Sequence, residues 1–364
     1  MANTLHPYED PRRRCLPVAF WPEQDRLAWE AAMAPGDVLD GTVGAGFHWR
    51  SETREKYRKG YGRWLTFLIG IGKLWPDQLP ADRVTVENVR TYIAELQSQD
   101  VGSWTLWGRL AELLACIKAI EPGADFTWLR KVVRVYEGRT VDRRNKLARL
   151  KPAHEVLDWA MRSLPEINRD RFQRDWVGTY RDALAVAVLA CCPIRLSNLT
   201  CIEIGAHLKR NSTGYMLRFI GAETKTGRPI DVPVHALLTA PLEHYLAEVR
   251  PYLLQGRTSS RLWITRYGDP MNAKAMHLAI TRTTERAFGR SINPHLFRDC
   301  AATFVALEDP EHIGIVSPLL GHVDPRTAEA HYIQANQIVA GRRIRLSVAA
   351  LRRTLSVPKR EALR

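Results

Sequence analysis

The chain runs to 364 residues, 45% hydrophobic and 25% charged, the proportions of a globular protein with room for two cores. Its 53 Lys and Arg stand against 39 Asp and Glu, and the net charge of +14 favours a polyanionic partner, nucleic acid first, through counterion release. The longest apolar stretch, Ala183 to Cys192, falls far short of the roughly 18 residues a membrane helix needs, which excludes a helical membrane protein.

The N-terminus, MANTLHPYEDPRRRC, lacks the apolar core of an export signal, so no export is implied. Residues 1–50 carry Pro7, Pro11, Pro17, Pro22 and Pro35 and read as an irregular extension or arm. Gly44-Ala45-Gly46 is a loop, since the third glycine and preceding strand of a dinucleotide site are missing. Residues 51–138 read as a compact helical unit. Tyr57, Tyr61, Trp64, Leu65 and Leu68 share one face of a first helix. A second opens at Thr85 with Val89, Tyr92, Ile93 and Leu96 inward, and a third at Ser103 with Leu106, Leu110, Leu113, Leu114 and Ile117 inward. A short helix covers Trp128 to Tyr136, and the unit's aromatics read as core. Residues 139–152 are strongly charged, have no apolar face, and mark a basic linker.

A larger domain follows over residues 153–340, with helices near His154 to Ser163 and Trp176 to Cys191. Tyr215 to Ile220 and Pro229 to Val234 flank the turn GAETKTGR and read as a hairpin with Lys225 near its tip. Lys225-Thr226 is no phosphate-binding P-loop, because the glycines before the lysine are absent. The remainder is mainly helical and ends in a basic, amphipathic tail over residues 341–364, carrying Ile344, Leu346 and Val348 beside Arg342, Arg343 and Arg345. Cys15, Cys116, Cys191, Cys192, Cys201 and Cys300 show no CxxC spacing and read as reduced thiols of a cytosolic protein.

Four stretches carry chemistry: CCPIRLSNLT with Arg195, ETKTGRPIDVPV with Lys225, HLFRDCAAT with His295 and Arg298, and LLGHVDPRTAEAHY with His322 and Tyr332. Arg195 and Arg298 offer rigid forks of donors to the non-bridging oxygens of a phosphodiester. His295 and His322 donate hydrogen bonds or shuttle protons near neutral pH. Tyr332 supplies a hydroxyl nucleophile.

In that order, the four stretches resemble the catalytic domain of the tyrosine recombinase, or phage integrase, family over about Asp158 to Asn336, and the helical unit before it is more loosely similar to the family's core-binding domain. The resemblance implies a mainly α fold with a small β-sheet, a helical core-binding domain plus a catalytic domain, closing as a C-shaped clamp on duplex DNA. It implies a site-specific recombinase that cleaves and rejoins DNA through a 3′-phosphotyrosine on Tyr332. Arg195 and Arg298 would hold the scissile phosphate, His295 and His322 assist its activation, and Lys225 protonate the departing 5′ oxygen. No cofactor, metal or ATP is implied. The partners implied are a double-stranded recombination site, further copies of the chain as a dimer on one site and a tetramer in the synapse, and other recombinases or accessory DNA-bending proteins. No membrane is involved, and the location implied is cytoplasmic, at the nucleoid of a cell carrying a mobile element. The tail is implied to dock on a neighbouring protomer, against the alternative of packing on its own domain. Departures from the pattern are Pro193 before the arginine, Asn198 where an acid is common, Asp299 after the HxxR arginine, and ten residues between His322 and Tyr332. Two alternatives stay open: a type IB topoisomerase-like enzyme, and an accessory DNA-binding factor of this fold with weak or no catalysis.

Overall fold

The computed structural model describes residues 10–142, 150–169 and 175–308, together with positions 344, 345, 347 and 348. The chain is mainly helical with one small antiparallel sheet, and it divides into two compact units, Met1–Arg144 and Asn145–Arg364.

The first unit holds α1 (Glu23–Met33), α2 (Ser51–Gly70), α3 (Pro80–Arg83), α4 (Val86–Ser98), α5 (Ser103–Ile120) and α6 (Thr127–Gly138). The apolar spacing decides the packing. Tyr61, Trp64, Leu65 and Leu68 of α2 are buried in one cluster with Leu106, Leu110, Leu113 and Ile117 of α5. Thr85 caps α4 by accepting from the Asn88 amide at 3.1 Å, as its position before the apolar run foretells. From α4, Tyr92 meets the Trp64 ring edge-on at 5.2 Å.

Residues 10–50 differ from the irregular arm expected of them. Between Pro22 and Pro35 lies the three-turn helix α1, and Trp21, Trp29 and Ala32 are buried in the same cluster as α2 and α5. The Trp21 ring meets Trp29 and Tyr61 edge-on, and its Nε1 donates to the Leu16 carbonyl at 2.8 Å. Burying two indoles outweighs the breaking tendency of the surrounding prolines, which here bracket the helix rather than prevent it. α1 also places Asp25 in the interior, where it accepts from the Tyr61 hydroxyl at 2.6 Å and from Arg83 Nη1 at 2.5 and 2.7 Å. Neither Asp25 nor Arg83 is more than 1% exposed. Burial, and next the charge of Asp25, push the Tyr61 hydroxyl well above its ordinary value, so it stays a donor. At the other end of the unit, Ser103 exchanges hydrogen bonds with the Val141 backbone, and Trp104 Nε1 donates to Asp142. The first residues after α6 are thus tied back to α5, while residues 143–149 lie outside those described.

The second unit holds α7 (Ala153–Arg169), α8 (Trp176–Cys191), α9 (Leu196–Cys201), β1 (Leu208–Asn211), β2 (Gly214–Phe219), β3 (Ile230–Pro233), α10 (Thr239–His244), α11 (Arg250–Leu254), α12 (Ala273–Phe288) and α13 (Pro294–Glu308). From Ala183 to Ala190 α8 is apolar on every side and correspondingly buried. A π-helical turn, Tyr245–Val249, joins α10 to α11 just before Pro251, whose ring removes a hydrogen bond and crowds the carbonyl one turn back. The sheet runs in the order β1-β2-β3, with Leu217 of β2 opposite Leu208 on one side and Val232 on the other. β2 and β3 form the expected hairpin. β1 is an addition that the sequence hides, since only Leu208 of its four residues is buried. All six cysteines are free thiols, and no helix among the described residues is long and apolar enough to cross a membrane.

Candidate active site

The end of α8 sets the site. After Cys191 the chain turns through buried Cys192, Pro193 and Ile194 and delivers Arg195 as the residue that precedes α9. Arg195 is half-buried, and burial lowers its affinity for a proton. From a segment about a hundred positions later, α13 brings Arg298 against the same turn. Its Nη1 donates to the Pro193 carbonyl at 2.8 Å, and only 5% of the residue is exposed. Burial, and then the positive charge of Arg195, hold the Arg298 guanidinium down at about 10, with Asp299 acting in the opposite sense. Two like charges share a partly dry corner, an arrangement that an anion placed between them would relieve.

Lys225 is exposed in the β2–β3 connection, and the loop around it is held closely. Thr224, only 1% exposed, donates its hydroxyl to Arg228 O at 2.7 Å. Gly221 lies against the Gly227 carbonyl so tightly that a Cβ would stand 2.3 Å from the oxygen. Glu223 supplies the anchor. One carboxylate oxygen accepts from the Ile220 amide and the other meets His207 Nε2 at 3.0 Å. Because His207 Nδ1 accepts from the Glu203 amide, Nε2 carries the proton given to Glu223. Hydrogen bonding to His207, and then to Ile220, lowers the Glu223 carboxyl below its usual range. The Glu223 carbonyl in turn accepts from Asn198 Nδ2 at 3.2 Å, so the lysine loop is fastened to the helix that Arg195 opens.

His295 is exposed on the first turn of α13, three residues before Arg298 and therefore on a neighbouring face of the helix. Arg195 and Arg298 are thus brought together, and the loop of Lys225 is tied to the Arg195 helix. His322, Tyr332 and most of the basic tail lie outside the described residues. His207 and Glu223 are contributors that the sequence did not flag, and Pro193, a departure from the family pattern, supplies the carbonyl that anchors Arg298. Asn198, a departure from the family pattern, proves to be the donor that fastens the lysine loop. Among the described residues, no set of three or more His, Cys, Asp and Glu side chains is grouped to hold a metal ion.

The chain resembles known proteins in sequence and in fold. The chain is 25% identical over 297 residues to the tyrosine recombinase XerC of Pseudomonas fluorescens (strain Pf-5), a match covering 78% of this chain and 88% of that protein. It is 29% identical over 155 residues to the tyrosine recombinase XerD of Ralstonia nicotianae, covering 42% of this chain and about half, 47%, of the relative. No protein-family model matches it. Among solved structures, the XerH site-specific recombinase bound to its palindromic difH substrate in a post-cleavage complex superposes with a TM-score of 0.59. That likeness covers 92% of this chain and 98% of XerH at 12% identity, a likeness of fold.

Proposed function

We propose that the chain is a tyrosine recombinase, a reading supported by its likeness to XerC and XerD: a site-specific DNA recombinase that cuts and rejoins duplex DNA through a covalent tyrosyl intermediate. The observation that most supports this reading is the convergence of Arg195 and the buried, backbone-anchored Arg298 on one corner, two rigid forks of donors of the kind that hold a phosphate. In the proposed reaction these guanidiniums hold the non-bridging oxygens of the scissile phosphate. Charge builds on those oxygens in the transition state, which makes the hold catalytic rather than merely adhesive. The Tyr332 oxygen attacks phosphorus and loses its proton, forming a phosphotyrosine at the 3′ end. The bond to the 5′ oxygen breaks, and Lys225 gives that oxygen a proton. His295 and His322 donate to the phosphate as the bonds exchange. Attack by a 5′ hydroxyl, with the proton returning to the tyrosyl oxygen, reverses the steps and joins a strand. One phosphodiester replaces another, so the exchange needs no ATP, and the guanidiniums take the electrostatic part that metal ions play in hydrolytic nucleases.

The net charge of +14 supplies sequence-independent affinity for duplex DNA, with two copies on a site and four at strand exchange as the proposed assembly. The test starts by selecting bound duplexes from a random pool at fixed salt. Plasmids carrying two copies of the selected site should then yield recombinant products, in EDTA as in buffer. Relaxed plasmid without exchange identifies the topoisomerase-like alternative. Binding with neither product identifies an accessory DNA-binding factor. Loss of strand exchange in chelator contradicts the metal-independent reaction.

A further inference from the structure

The first unit holds a pocket of about 250 Å3 between α2, α4, α5 and the segment before α1. Its lining is chiefly apolar, with Phe67 and Ile71 among the walls, yet Arg12, Arg13, Arg63 and Arg109 all reach it. Three carboxylates face these four guanidiniums. Asp10 and, at 3.6 Å, Glu95 take Arg12; Asp10 also lies 3.9 Å from Arg13; Glu112 takes Arg109. Arg13 further donates to the Gln99 carbonyl at 2.7 Å, which leaves its Nε buried without a hydrogen-bond partner. Arg63 is the cation in excess, and among the described residues it has no ion-pair or hydrogen-bond partner. Beside it, Tyr92 is 3% exposed, and its hydroxyl also lacks a hydrogen-bond partner. Burial raises that hydroxyl's pKa, opposed by the nearby charges of Arg109 and Arg63, so it is a proton donor without an acceptor. Buried donors left unpaired in a folded protein call for an explanation, and two of them, Arg13 Nε and the Tyr92 hydroxyl, belong to residues that line this one cavity.

We propose that this pocket binds a small amphiphilic anion, a phosphate or carboxylate head held by Arg63 with Tyr92 and Arg13 as further donors, and a compact apolar body against Phe67 and Ile71. An apolar cavity with a few convergent polar groups is the usual form of a small-molecule site. A guanidinium with no internal carboxylate gains more from an anion than the neutralised ones around it. The pocket lies wholly in the first unit and involves none of the residues assigned to strand cleavage, so it is a separate ligand site, suited to an effector.

The test is calorimetric titration of the full chain with phenyl phosphate, with benzyl alcohol as the uncharged control. Binding with Kd on the order of 0.1 mM is expected, and none for the alcohol. Arg63→Ala should weaken it at least about tenfold, and Tyr92→Phe by roughly threefold or more, each variant keeping the wild-type circular dichroism spectrum. Overturning results are no binding to the wild-type chain, equal binding of the alcohol, or undiminished affinity in Arg63→Ala. Complete displacement of phenyl phosphate by duplex DNA of unrelated sequence also overturns it, since the pocket would then be a backbone-phosphate contact.

Discussion

Arg83 and Arg298 are both buried guanidiniums, and their neighbours give them opposite energetic signs. Arg83 Nη1 faces Asp25, and its Nη2 is taken by the Trp75 and Gln78 carbonyls. Arg83→Met leaves the Asp25 carboxylate dry and uncompensated, and should cost about 3–5 kcal/mol in denaturant unfolding. Arg298 instead shares its corner with Arg195. A folded-state value of about 10 for a group ordinarily near 12.5 means that the charged form is penalised by up to roughly 3 kcal/mol. For a base whose affinity for a proton is lowered on folding, that penalty is in force at every pH below about 10. It is relieved as the pH rises from there towards the ordinary value. Arg298→Met should therefore raise the melting temperature by about 2–6 °C in calorimetry at neutral pH, even after losing the hydrogen bond to Pro193. A fall of similar size would mean that the two arginines do not strain each other. The same substitution should abolish strand cleavage, because it removes one of the two guanidiniums proposed to hold the phosphate.

At the scale of elements, the β2–β3 connection is where sequence and geometry depend on each other most. The Gly221–Gly227 approach leaves no room for a methyl group, and Glu223 joins the loop to His207 and to Asn198. Gly221→Ala should open that loop and displace Lys225, lowering strand cleavage by about tenfold or more while native-gel binding to DNA is unchanged. Unchanged cleavage would remove Lys225 from the reaction. The helices with continuous apolar spacing, α2, α4 and α5, were legible because their buried faces repeat with the helical period and Thr85 marks a start. α1 was not, because prolines crowd its flanks and its burial depends on partners in α2 and α5. β1 was not, because an edge strand with three exposed polar residues carries no alternation to read.

For the molecule as a whole, the charge excess is a statement about partners rather than fold. If six or so phosphates are contacted, affinity for duplex DNA should fall by about a thousandfold between roughly 50 and 200 mM salt, and a flat dependence in filter binding would contradict that. The candidate site was legible only as a series of motifs. Nothing in local spacing says that Arg195 and Arg298 meet, since the contact is made by α13 crossing onto the turn after α8; the family resemblance supplied the pairing, and the hydrogen bond to Pro193 gives its geometry. His207 and Glu223 stayed hidden because they are sixteen positions apart and meet only once the sheet forms. The central claim is that the phosphate held by these arginines is attacked by Tyr332. The direct measurement is a nicked duplex carrying the selected site, incubated with wild-type chain and with Tyr332→Phe, and resolved on a denaturing gel beside a native binding gel. A covalent protein–DNA adduct with the wild-type chain, and none with a variant that binds equally well, is the predicted result; adduct at wild-type level in Tyr332→Phe would contradict it.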